Sequence, residues 1–180
     1  MSSRISAQGA SCMEPRSQGV QFFLAGIVCL AIGLAPGSVV GQSTDDTGLV
    51  EYVSDASFEE TVGRIEAAVT IRNLFLMRTV DHAAAAAQMG YELSPNTVVL
   101  FGNPRVGSQI MACAPTAGID LPQKLHVWEG RQAIVHVAYN DPDWLAERHS
   151  IHGCDEILGR VRATLDAIAR DVSGFVEADG

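Results

Sequence analysis

The chain has 180 residues, is 47% hydrophobic and 18% charged, and carries a formal net charge of −9 with Lys124 as its single lysine. That length and apolar content suit one packed domain and exclude extended disorder. The acidic balance argues against nucleic-acid or anionic-membrane binding, and no heptad or repeat points to a coiled coil or solenoid.

From Ser17 to Thr44 no residue is charged, and Phe22–Leu34 is an apolar run preceded by Arg16 and followed by Pro36-Gly37. A basic start, a short apolar middle and a small-residue exit are the parts of a secretory signal peptide, expected here over 1–41 with cleavage after Gly41. Met13 offers an alternative start. Left uncut, the same stretch is long enough to span a bilayer. The expected location is therefore periplasmic or secreted, or else the inner membrane through an uncleaved anchor. Cys12 and Cys29 lie in the leader. Cys113 and Cys154 remain, and in an oxidising compartment they read as a disulfide or as two partly buried thiols.

Residues 42–47 read as a polar tether and Leu49–Val53 as a short strand. Ser57-Phe58-Glu59-Glu60 is a capping box, and Phe58, Val62, Ile65 and Val69 follow at helical spacing, so a helix is expected over 57–71. A second strand, 74–80, leads to Asp81, the cap of a short alanine-rich helix ended by Gly90. Thr97–Phe101 is strongly apolar and reads as a central strand. It runs into Asn103-Pro104, a cap and first-turn proline for a third helix ending near Cys113. A hairpin is expected from strands Lys124–Trp128 and Ala133–Tyr139 around the turn 129–132. If Trp128 faces Ala133, then His126 and His136 point to opposite faces of the sheet and cannot form a joint site. Asp141-Pro142 starts another helix. Ile157, Val161, Leu165, Ile168 and Val172 are the stripe of a long final helix ending at Ser173-Gly174, with 175–180 as a tail. Strands and helices mix without regular βαβ alternation, so the fold class is α+β, a single domain with helices packed on an antiparallel sheet.

Several residue sets suggest chemistry. The strand-to-helix turn at Gly102–Gly107 with Arg105 could bind phosphate at a helix start, although it matches no nucleotide-binding spacing and equally reads as a capped turn. His149, His152 and Cys154 are weak candidates for a zinc or copper site, against the ordinary preference of histidine for helix C-termini. Ser108 with His82 or His149 and Asp81 or Asp141 could be assembled as a triad, but no serine has a nucleophile-elbow setting. No catalytic residue and no cofactor is assigned.

Five motifs occur in order: Asp81-His82-Ala83-Ala84-Ala85, Phe101-Gly102-Asn103-Pro104-x-x-Gly107, Asp120-Leu121-Pro122-x-Lys124, Tyr139-Asn140-Asp141-Pro142 and Leu145-Ala146-x-Arg148-His149. Together they resemble the bacterial domain-of-unknown-function 302 family over about residues 48–172. The resemblance implies a compact α+β domain with a TATA-binding-protein-like topology that associates as a homodimer. It implies neither DNA binding nor any established activity. Ser108 and Gln123 depart from the pattern, and His126, His152 and Cys154 stand outside it. His82, Asn103, Lys124, Asn140, Asp141 and His149 all sit in the shared motifs. They are expected to meet at one rim of the sheet as a small ligand pocket, with Lys124 touching Asn103, Asp141 or His149. The functional expectation is an exported, homodimeric domain that binds a small molecule or a partner without catalysis. The alternative is a metal- or thiol-dependent enzyme of the cell envelope.

Overall fold

The computed structural model describes residues 43–44 and 47–174. The expected leader (1–41) and tail (175–180) lie outside the described residues. Six strands form one antiparallel sheet: β1 (Ser43–Thr44), β2 (Leu49–Val53), β3 (Phe75–Asp81), β4 (Asn96–Gly102), β5 (Gln123–Glu129) and β6 (Val135–Asn140), in the spatial order β1-β2-β6-β5-β4-β3. The helices are α1 (Phe58–Ile71), α2 (His82–Gln88), α3 (Pro104–Cys113), α4 (Pro142–His149) and α5 (Asp155–Ser173). Short 3₁₀ turns cover Pro115–Ile119 and Arg131–Ala133. The protein is thus an α+β single domain.

Strand alternation decides which face is dry. Along β4, Thr97, Val99 and Phe101 are buried and their neighbours are half-buried, the period-2 pattern of a sheet with one covered face. Helices α1 and α5 supply the cover. Ser57 caps α1 by accepting from the Glu60 N–H at 3.3 Å, and Ile65, Ala68 and Val69 bury one stripe. On α5, Ile157, Val161, Leu165, Ile168 and Val172 do the same, and Gly174 ends the helix in the left-handed region at φ 72°. Ile65, Val69, Val99, Leu125, Val137 and Ile168 are fully enclosed, each contributing about 1.5–3 kcal/mol by leaving water.

Three expectations are corrected. Ser43 and Thr44, read as tether, form a two-residue strand against Val50 and Glu51 of β2. Strand β4 is not central, because β3 pairs along its outer side and leaves it second from the edge. The hairpin register also differs. Gln132 and Ala133 take positive φ (60° and 57°), so the chain spends Arg131–Ala133 in the turn and β6 begins at Val135. Trp128 therefore faces His136, not Ala133. An odd register shift exchanges the faces, and His126 and His136 end on one face, on either side of Trp128.

Candidate functional site

Polar residues from three elements meet at Asp120, which follows the Pro115–Ile119 turn. Its Oδ2 lies 2.6 Å from His149 Nε2 on α4, and its Oδ1 lies 3.3 Å from an Arg148 nitrogen. Its backbone carbonyl accepts from Lys124 Nζ at 2.7 Å. A carboxylate only accepts, so His149 Nε2–H donates, and in the neutral ring Nδ1 accepts from the Thr116 hydroxyl at 3.1 Å. Burial pushes the Lys124 ammonium pKa down; the Asp120 charge opposes the shift and Arg148 adds to it. A hydroxyl, an imidazole and a carboxylate in line make a proton relay on paper. Neither of the two cavities that flank α3 is lined by Thr116, Asp120 or His149. The bonds of this cluster tie α4 and the 3₁₀ turn to the start of β5.

Two cavities flank α3. One, of about 420 Å³, opens between α3 and α5. Its walls include Leu74, Phe101, Val161 and Leu165, and its polar groups include Arg105, Arg160, Gln109 and Gln123. The Arg105 guanidinium has no ion-pair partner among the described residues, and Arg160 has only Glu156 at 3.4 Å on an exposed surface. No acidic residue lines this cavity. The second, of about 310 Å³, lies on the other side of α3 and is lined by Met77, Ile110, Met111 and Leu121. Gly102, Asn103, Val106 and Gln123 line both. A disulfide joins Cys113 at the end of α3 to Cys154 at the cap of α5, with Cα atoms 6.6 Å apart. It fixes the two helices that wall the larger cavity.

The uncovered face of the sheet carries a ring stack. His126 and Trp128 have centroids 4.8 Å apart, and Trp128 and His136 5.0 Å. Asn96 bonds His126 at 3.0 Å and Glu51 bonds His136 at 2.6 Å. A Cβ on Gly130 would fall 2.8 Å from His136 Nε2, so a larger residue there would have to displace the ring. Burial lowers the His126 pKa below its usual 6.5, and nearby His82 lowers it further.

The six residues expected at one rim are distributed over the molecule. Lys124 and His149 are joined, but through Asp120 rather than directly. Asn103 lines both cavities and caps α3 by accepting from the Arg105 N–H at 3.0 Å. Asp141 caps α4 by accepting from the Asp143 N–H at 2.9 Å. Asn140 sits at the end of β6 opposite Leu49. His82 is exposed at the start of α2. Helix caps satisfy their own first turns, so Oδ1 of Asn103 and of Asp141 is taken by a backbone N–H, and the Asn103 NH₂ is what remains for the cavities that residue lines.

The cluster of His149, His152 and Cys154 is corrected as well. Cys154 is bonded to Cys113, His149 is held by Asp120 and Thr116, and His152 is exposed. Among the described residues no group of three His, Cys, Asp or Glu could hold a metal ion. Sequence reasoning missed Asp120, although it stands four residues before the single lysine. It also missed Arg160, whose partner cavity forms only when α3 and α5 meet.

These features define a disulfide-tied α+β domain with one solid sheet face and a hollow flank along α3. The chain belongs to the family described as domain of unknown function DUF302, which matches residues 50–172. A solved structure of an uncharacterized conserved DUF302 protein from Bacillus stearothermophilus superposes with a TM-score of 0.63 at 16% identity, covering 69% of this chain and 98% of that one. That likeness shows the shared fold. Two curated relatives named fluoride-specific ion channel FluC 1, from Brucella suis and Brucella abortus, are each 39% identical over 106 residues. The match covers 59% of this chain, and 42% and 39% of those relatives' lengths. Among the described residues no helix is long and apolar enough to cross a membrane.

Proposed function

We propose that the protein is an exported binding domain for a small amphipathic anion, held in the cavity between α3 and α5. The observation that carries this reading is the composition of that cavity: apolar walls with Arg105 and Arg160 at its margin, three amide side chains and no acid. A ligand site that is mostly apolar, with a few convergent polar groups, is the usual form for small molecules. In a chain of net charge −9, a local excess of positive charge selects anions at short range, because the more distant acidic groups are screened beyond roughly 8 Å at physiological salt. Arginine suits a carboxylate, which its planar fork meets with two hydrogen bonds. Export is supported by the leader pattern and by the Cys113–Cys154 disulfide, which needs an oxidising compartment.

Titration calorimetry with small carboxylates tests the reading. Arg105→Ala and Arg160→Ala together should weaken hexanoate binding about tenfold or more, in line with roughly 1.5–3 kcal/mol for a charge-assisted hydrogen bond. Both side chains are exposed, so the melting temperature should not move. Equal affinity in the double variant would sink the proposal.

Self-association belongs to the same reading. Among the described residues strand β3 is an edge whose outer backbone is unpaired, and Phe75, Leu76 and Met77 are 60%, 43% and 47% exposed. A long apolar edge is a template for pairing with another chain, and a second copy of this strand is the occupant we propose. Light scattering should find a dimer that Leu76→Lys converts to a monomer.

A second reading follows from the curated relatives. There the matched segment occupies about two fifths of proteins named as fluoride channels, so the domain would act beside such a channel. A cavity of about 420 Å³ is far larger than a fluoride ion. On this reading fluoride itself should give no heat on titration, whereas carboxylates should.

A further inference from the structure

We infer that the two cavities are halves of one site, and that the ligand is a linear carboxylate whose apolar tail crosses α3's first turn into the methionine-lined cavity. This rests on the proposed anion site between α3 and α5 and extends it from a head-group pocket to a chain-length-selective one.

Three observations point this way. First, the cavities are contiguous in their linings, sharing Gly102, Asn103, Val106 and Gln123. The two arginines lie only on the α5 side, and the far side is walled largely by apolar residues, among them Met77, Met111 and Leu121. Second, the far cavity is kept open where packing could have closed it. Gly107 lies inside α3, where glycine is disfavoured. A Cβ there would meet only Leu121 Cδ1 at 3.8 Å, an ordinary contact, and a Cβ on Gly102 would meet only Met77 Cε at 4.0 Å. Neither glycine has a positive φ, so neither backbone conformation nor crowding demands it. The space is what they leave. Third, the register of β3 slips between Leu76 and Arg78, which takes Met77 out of the ladder. Bulges re-aim side chains, and this one leaves Met77 lining the cavity. Methionine adapts its shape to irregular apolar ligands.

The test is a series of straight-chain carboxylates, butanoate to dodecanoate, titrated into the full-length protein below their micelle concentrations. Affinity should rise beyond hexanoate by about fourfold per methylene, the value for a fully buried CH₂. Labelled Met77 and Met111 methyl groups should shift in NMR spectra with dodecanoate and not with butanoate. Gly107→Leu fills the far cavity from the helix and should abolish the chain-length gain while leaving butanoate binding intact. Met111→Trp fills it from another wall and serves if Gly107→Leu does not fold. If no carboxylate binds, both the head-group reading and this one fall. If carboxylates bind with affinity independent of length, or if the filled variants keep the gain, only the tail inference is overturned.

Discussion

The sheet meets its helices in two different ways. Under α1 and α5 it is solid: Ile65, Val69 and Ile168 are 0% exposed, and the Arg72–Asp171 ion pair closes the outer seam between the two helices. Around α3 the layer is hollow, and Gly102, Gly107, Met77 and Met111 are among the residues that line the space. Close-packed interiors carry stability because every removed contact leaves a void. A flank that already holds voids gives up that stability and gains room for a ligand. The close packing thus lies between α1 and α5 and the voids lie along α3, on the same face of one sheet; α5 serves both, and the Cys113–Cys154 bond ties it to α3.

This contrast can be broken in order of expected effect. Ile168→Ala, on the solid side, should cost about 2–5 kcal/mol of unfolding free energy in urea titration, with carboxylate affinity unchanged at temperatures where the variant is folded. A cost below 1 kcal/mol would mean that the layer is not close-packed. Replacing both Cys113 and Cys154 by serine opens a loop with a sequence separation of 41 and should cost about 2–4 kcal/mol. Because the bond holds the two walls of the larger cavity, this variant should also lose hexanoate affinity, which Ile168→Ala should not.

Smaller effects sharpen the solid side. Tyr52 donates to Asp166, whereas the buried Tyr139 hydroxyl has no hydrogen-bond partner among the described residues. Burial raises both phenol pKa values, that of Tyr52 to about 12. Removing a satisfied hydroxyl costs about 0.5–1.5 kcal/mol, while removing an unsatisfied one costs nothing or stabilises. Tyr52→Phe should therefore lower the melting temperature and Tyr139→Phe should leave or raise it. The reverse order would show that Tyr139 is bonded in solution.

On the uncovered face, the His126 pKa is lowered by burial and by His82. The unfolded chain then binds more protons than the folded one between that lowered value and about 6.5. Stability should rise with pH through this window and fall as the solution is acidified below 6.5. His126→Gln should flatten that part of the profile in thermal melts at pH 5 to 7. An unchanged slope would assign the dependence to another group.

Much of this was legible in the chain itself. The caps Ser57, Asp81, Asn103 and Asp141 each accept from the backbone they were read to cap, because capping is chemistry within three residues. The apolar stripe of α5 is legible for the same reason, since its period needs only the helix. The α+β class and the family follow from these local patterns and from five ordered motifs. What the tertiary structure decided is everything that depends on register or on two distant elements meeting. Two positive-φ residues in a turn moved His136 across the sheet and made a His–Trp–His stack out of residues read as unrelated. Asp120 became a hub because a 3₁₀ turn, a strand and α4 converge on it. Arg105 and Arg160 form one cavity only because α3 and α5 are joined side by side. Propensity and periodicity act over a few residues, whereas a cavity is the space left between surfaces far apart in the chain.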